Sequence, residues 1–169
     1  NGRLIQQPIK ELLDLRAEHA HFTTKEDLNQ ADSLPLENSF GFPVFETELT
    51  FSDCKQMELA LRDGVTLSFS NGVLTLDLKK GGFGRTSRSV ELTSLSQLRI
   101  YSDTTSLEIF VNGGEEVFTT RLYSQISDPS NDHDLSTNTN ARPLALTGDC
   151  SATVDVWKLR AFEVSRTQN

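Results

Sequence analysis

From Val44 to Val164 the chain is a succession of short runs in which apolar and polar residues alternate. Val73-Leu74-Thr75-Leu76-Asp77-Leu78 and Glu46-Thr47-Glu48-Leu49-Thr50-Phe51 show the pattern most cleanly. A strand turns successive side chains to opposite faces, so a run of period two buries one face and leaves the other polar, whereas a helix would mix the two sets. Ten such runs are predicted as strands: 44–51, 57–62, 65–70, 73–79, 89–92, 98–103, 107–112, 116–123, 143–147 and 152–164. Asn71-Gly72 and Asp63-Gly64 fall between consecutive runs, where a two-residue antiparallel turn requires residues tolerant of positive φ. Regular turns at this spacing predict an all-β fold, an antiparallel two-sheet β-sandwich of jelly-roll or concanavalin-like type rather than a barrel.

One segment reads as helix. In "QQPIKELLDLRAE", Pro8 suits a first helical turn and Ile9, Leu12, Leu13 and Arg16 follow at helical spacing. The expected division is therefore a linker with a short helix over 1–20 and a single sandwich domain over 21–169. A chain of 169 residues suffices for one core. Its 24 Asp and Glu against 16 Lys and Arg give a net charge of -8, which opposes phosphate backbones and anionic bilayers, so neither nucleic acid nor a membrane is expected as a partner. No apolar run reaches the about 20 residues that cross a bilayer, and the opening residues lack the apolar core of a signal peptide, so any export signal is expected upstream. The two cysteines, Cys54 and Cys150, have no metal-type spacing; the favoured reading is two reduced, partly buried thiols of a cytoplasmic protein, the alternative being one disulfide between them.

The chemistry-bearing patterns are thin. Glu108, Glu115 and Glu116 crowd the turn of "LEIFVNGGEEVFTTRLY" (107–123), but carboxylates on exposed strand positions are ordinary edge charges. His19 and His21, two apart, would share a face of a strand as a metal site requires, yet no third ligand is near in sequence. "DPSNDHD" (128–134), within a polar connection over 124–141, offers oxygens without the spacing of a calcium loop. "KKGGFGRTSR" (79–88) gathers four basic side chains and three glycines, a composition suited to an anion, though no helix N-terminus follows. Nucleophile motifs and dinucleotide-binding glycine patterns are absent. No catalytic residue, metal or cofactor is assigned.

The order of the segments "LIQQPIKELLDLR" (4–16), "ETELTF" (46–51), "GVLTLDL" (72–78), "LRIYSDTTSLEIFVNGGEEVFTTRLY" (98–123) and "ATVDVWKL" (152–159) resembles the C-terminal part of glycoside hydrolase family 32, a family of invertases, sucrose-6-phosphate hydrolases and fructan hydrolases. The resemblance extends over nearly the whole chain. It implies a β-sandwich that follows a catalytic five-bladed β-propeller, joined by a linker and short helix. The family's Asn-Asp-Pro-Asn-Gly, Arg-Asp-Pro and Glu-Cys motifs do not occur; Asp128-Pro129, preceded by Ser127, is the one Asp-Pro. The implied function is that of a non-catalytic module which stabilises the propeller of a β-fructofuranosidase and takes part in assembly, the alternative being a carbohydrate-binding module for fructan or sucrose. Where bacterial relatives often carry Asp-Arg, this chain has Asp77-Leu78 and then a glycine pair, so the loop 79–88 is expected to differ in shape.

Pairing the arms of the 107–123 hairpin puts Leu107, Ile109 and Val111 with Phe118 and Leu122 on the core face. The second face then carries Glu108, Thr119 and Arg121, but also Phe110 beside Val117 and, further on, Tyr123. Phe110, Val117 and Tyr123 are the candidate interface residues. The occupants in question are the propeller of the same polypeptide, a second copy in a homo-oligomer, or a sugar bound weakly. The single tryptophan, Trp157, lies in a strand and is expected to be packed rather than displayed as a sugar platform.

Overall fold

The computed structural model describes residues 2, 4–24, 28–33, 44–123 and 144–160. Its strands, all antiparallel, are β1 (Arg16–Thr24), β2 (Leu28–Ser33), β3 (Phe45–Ala60), β4 (Thr66–Ser70), β5 (Val73–Asp77), β6 (Ser87–Glu91), β7 (Gln97–Asp103), β8 (Ser106–Val111), β9 (Glu116–Arg121) and β10 (Ala145–Leu159). Helical structure among the described residues is limited to 3-10 turns at Lys10–Leu15, Arg62–Gly64 and Lys79–Gly82.

Two long strands organise the sandwich. β3 and β10 run side by side, and both pass from one sheet into the other. Phe45–Thr50 of β3 pair with β7 on one side and with the C-terminal half of β10 on the other, while Gln56–Ala60 pair with β4 and the N-terminal half of β10. The first sheet is thus β1-β10-β3-β7-β8-β9 and the second β2-β10-β3-β4-β5-β6. The bend is visible in the backbone: Asp53 has φ 49°, and the β3–β10 register shifts between Asp149 and Ser151. Gly148 stands in this region at φ 145° because a Cβ there would fall onto the Gln56 carbonyl.

The inward positions of the two sheets meet in one core. Leu49, Leu98, Ile100, Leu107, Ile109 and Val154 come from the first sheet, and Leu59, Leu67, Leu74 and Leu76 from the second; all are fully buried. Each such side chain contributes about 1.5–3 kcal/mol of transfer free energy. Arg62 is also buried, and its guanidinium donates to the Thr104 carbonyl at 2.9 Å, tying the β3–β4 turn to the β7–β8 turn.

The open edges β6 and β9 are joined by arginines. Arg88 Nη1 donates to the Thr119 carbonyl (3.3 Å), Arg85 Nη2 to the Arg121 carbonyl (2.7 Å) and Arg85 Nη1 to Thr120 Oγ1 (3.3 Å). The Tyr123 amide adds a bond to the Gly81 carbonyl at 3.0 Å. The sandwich is therefore barrel-like on this side.

The expected all-β two-sheet sandwich is present, with its strands partitioned differently. The runs 44–51 and 57–62 are one strand, as are most of 143–147 and 152–164. β1 and β2 were not anticipated. The expected helix is a 3-10 turn only, because Arg16 already belongs to β1, opposite Leu159, which stops an α-helix before it completes two turns. β1 therefore begins inside the segment expected to be linker.

Candidate functional site

Register places one outward row across the whole first sheet: His19, Trp157, Glu46, Tyr101, Glu108 and Thr119 on β1, β10, β3, β7, β8 and β9. A second row two residues along holds His21, Asp155, Glu48, Arg99, Phe110 and Val117. This is the second face of the 107–123 hairpin, continued over four further strands.

Its centre is not solvated. Glu46 has 0% exposure although it lies on the polar side of its strand. Arg16 approaches it with two bonds, Nε to Oε2 at 2.8 Å and Nη2 to Oε1 at 2.6 Å, and Arg99 Nε reaches Oε1 at 2.8 Å. Burial raises the Glu46 pKa, but the bonds from Arg16 and then Arg99 outweigh it and hold the carboxyl below its ordinary range. The same pair raises the Arg16 pKa. Tyr101 packs edge-on against Phe110, ring centroids 6.2 Å apart, with the Arg99 guanidinium 5.4 Å from its ring. Its hydroxyl is buried and closes no hydrogen bond among the described residues, and burial, with the Glu46 charge nearby, raises its pKa.

Trp157 is already engaged. His19 stacks on it at 4.8 Å and 9°, and the Arg16 guanidinium lies 3.6 Å from its ring centroid. Its ring is thus packed and is not a free platform for a sugar. His19 Nε2 (2.7 Å) and His21 Nδ1 (2.8 Å) converge on Asp155 Oδ1. An ionised carboxylate only accepts, so each imidazole presents N–H there. Burial raises the Asp155 pKa and the bonds from His21 and His19 lower it, with a net downward shift. β10 thus supplies the third partner that the sequence lacked. Among the described residues, no group of three or more His, Cys, Asp and Glu side chains has the arrangement to hold a metal ion.

The hairpin turn has a different occupant. The Gln6 amide donates to the Gly114 carbonyl at 3.1 Å, and Gln7 Nε2 to the Gly113 carbonyl at 3.2 Å, so the N-terminal segment lies across the tip. That segment directs its apolar side chains outward: Leu4, Ile5, Ile9 and Leu13 are exposed. Beyond it, a cavity of about 700 Å³ opens between the 3-10 turn and the β7–β8 hairpin, with Leu12, Leu15, Val44 and Leu159 on its apolar side and Asp103 and Glu108 on its polar side.

The remaining sequence candidates separate. Phe110, buried, and Val117, half-buried, are register partners; Tyr123 stands apart, 5.4 Å from the exposed Phe83 and 5.7 Å from the Arg85 guanidinium. Glu108 and Glu115 are exposed. In the loop 79–88, Arg85 and Arg88 are bound to carbonyls of β9 and Lys79 to Asp77, so these cations are engaged rather than arranged around an anion. Leu78 is fully buried under Gly82, where a Cβ would come within 2.8 Å of Leu78 Cβ, so the glycine pair accommodates the apolar residue at 78. The stretches 124–141 and 128–134 lie outside the described residues. Arg16, Glu46, Arg99, Tyr101 and Asp155 were missed in the sequence, since only strand register brings them onto one face.

This architecture is that of a two-sheet antiparallel sandwich with a packed, charge-paired outer face. The chain belongs to the family described as "Glycosyl hydrolases family 32 C terminal", which matches residues 9–158. It is 30% identical over 135 residues to the sucrose-6-phosphate hydrolase of Escherichia coli, a match covering 74% of this chain and 27% of the relative. With the sucrose-6-phosphate hydrolase of Bacillus subtilis it shares 28% over 164 residues, covering 93% and 30%. Among solved structures it is similar to sucrose-6-phosphate hydrolase of Lactobacillus gasseri (TM-score 0.65, 19% identity, covering 92% of this chain and 31% of that one) and to exo-inulinase of Aspergillus awamori (0.61, 16%, 93% and 32%). The chain therefore spans about a quarter to a third of the length of the relatives it matches.

Proposed function

We propose that this chain is the non-catalytic sandwich module of a β-fructofuranosidase of the sucrose-6-phosphate hydrolase kind, and that it buttresses the catalytic domain of the same polypeptide. A glycosidase needs one carboxyl with a raised pKa to serve as acid. Here the three described carboxyls with a clear shift, those of Glu46, Asp77 and Asp155, are all shifted down. Each is held by cations or imidazoles and is poorly suited to donate a proton.

The observation that carries the docking role is the outward set Leu4, Ile5, Ile9 and Leu13 on a segment clamped to the hairpin. An apolar strip on a tethered linker, with Phe110 and Val117 on the neighbouring sheet face, is suited to a second domain that covers it. Trp157, engaged by His19 and Arg16, gives the sugar-binding alternative no platform.

The test has two arms. The 169-residue chain alone is expected to release no fructose from sucrose 6-phosphate or sucrose and to give no heat on titration with either. In a polypeptide that also carries a family 32 catalytic domain, replacing Leu4, Ile5, Ile9 and Leu13 together by serine is expected to lower the unfolding midpoint of the catalytic domain. Fructose release by the chain alone, or an unchanged midpoint, would overturn the reading.

A further inference from the structure

The sandwich bend holds both cysteines of the chain. Register pairs Asp149 with Gln56 and Ser151 with Ser52, so Cys150 alone spans the three residues 53–55 of β3, of which Cys54 is the middle one. Cys150 is buried in the core and Cys54, partly exposed, packs against the same core, so both thiols lie on the inner side of the bend. A Lys55–Asp149 ion pair at 3.2 Å flanks them.

We propose that Cys54 and Cys150 form a reversible covalent cross-linking site, closed by exchange with a low-molecular-weight disulfide, which pins β3 to β10 where both strands pass from one sheet to the other. The more accessible Cys54 reacts first: its thiolate attacks one sulfur of the small disulfide and expels the other half as a thiolate. The Cys150 thiolate then attacks Cys54 Sγ and expels the second half. Two electrons pass from the cysteine pair to the small disulfide, which leaves as two thiols carrying the two cysteine protons.

The register, not the ionisation of the thiols, suits the two steps. Accessibility and not ionisation selects Cys54 for the first step: its interaction with Cys150 and then burial raise the Cys54 pKa, while the same interaction holds Cys150 below its ordinary value despite burial. Once Cys54 is in the mixed disulfide its proton is gone, and with it the interaction that lowered Cys150, so the bulge alone sets Cys150 opposite Cys54 as the nucleophile. The strands are already aligned across the bulge, so closure needs no long-range rearrangement.

The experiment equilibrates the 169-residue chain with oxidised and reduced glutathione, quenches with acid, unfolds it, alkylates with a maleimide and weighs the intact chain. The oxidised chain is expected to be lighter by two hydrogens, to take up no maleimide, to remain monomeric, and to unfold about 10 °C higher than the reduced chain because a long loop is closed. Reducing agent is expected to restore two maleimides. Cys150→Ala is expected to stop at a glutathione adduct on Cys54. Two alkylatable thiols at oxidising equilibrium, a disulfide between chains, or a persistent glutathione adduct on the unsubstituted chain would each overturn the proposal.

Discussion

Gln6 and Gly114, far apart in sequence, are bound backbone to backbone, with the Gln6 amide donating to the Gly114 carbonyl at 3.1 Å. The approach is so close that a Cβ at 114 would coincide with the Gln6 carbonyl, and Gly114 has φ 91° besides. Gly114→Ala is therefore expected to detach the N-terminal segment and to cost about 2 kcal/mol. Amide exchange at residues 4–7 should accelerate while exchange in β7 and β8 is unchanged. Protection retained at Gln6 in the variant would contradict the clamp.

Glu46 gives the chain an acid-side sensitivity. Its native pKa lies below the ordinary 4.5, so its carboxylate contributes stability that is present above 4.5 and is lost as the pH falls through the lower native value. Asp155 acts in the same direction from 3.8. Glu46→Gln removes the charge between Arg16 and Arg99, which are only about a fifth exposed, 22% and 24%. The expected loss at neutral pH is about 2 kcal/mol, discounted from a fully buried pair because both guanidinium groups reach water. In urea unfolding from neutral pH to about pH 3, the variant should show a shallower decline than the parent chain. Parallel pH profiles would remove Glu46 as the titrating group.

The location of these groups explains how far the sequence could be read. Alternation in 46–51 and 73–78 and the glycine turns revealed the strands, because those signals are local. The bends in β3 and β10 were read as gaps, since Ser52-Asp53-Cys54 and Gly148-Asp149-Cys150 are turn-like in composition while the backbone merely kinks there. β1 was hidden because its outward positions are His19 and His21 and only Ala20 and Phe22 pack against the core. The spacing of Leu12, Leu13 and Arg16 suggested a helix, yet Leu13 stays exposed and Arg16 is drawn into β1 by Glu46. Phe110 and Val117 could be paired from the hairpin alone. Glu46, with partners on β1 and β7, could be judged buried only from the assembled sheet.

Tyr101 supplies a test of the buried face. Its hydroxyl is buried without a hydrogen bond among the described residues, so removing it eliminates a desolvated polar group and leaves the ring on Phe110. Tyr101→Phe is expected to leave the stability of the 169-residue chain unchanged or to raise it by up to about 1 kcal/mol. Measured by urea unfolding, a loss larger than that gain would mean that the hydroxyl has a partner in solution.

Arg85 and Arg88 protect the free edge of β9. An edge strand with open carbonyls is a template for a further strand. Here the carbonyls of Thr119 and Arg121 are taken by guanidinium groups from the β5–β6 loop and from β6 itself. Replacing both arginines by alanine removes contacts that are largely exposed, so the expected cost in stability is small, about 1 kcal/mol. The larger consequence should be association, because the double variant presents bare backbone acceptors in an otherwise complete sheet. Sedimentation across a concentration series is expected to show the double variant passing from monomer to dimer where the unsubstituted chain does not. Arg85→Lys with Arg88→Lys should restore much of the protection, since lysine at an edge also opposes strand addition. A double alanine variant that stays monomeric across the series would show that the β9 edge is closed by the sandwich geometry and not by these two side chains.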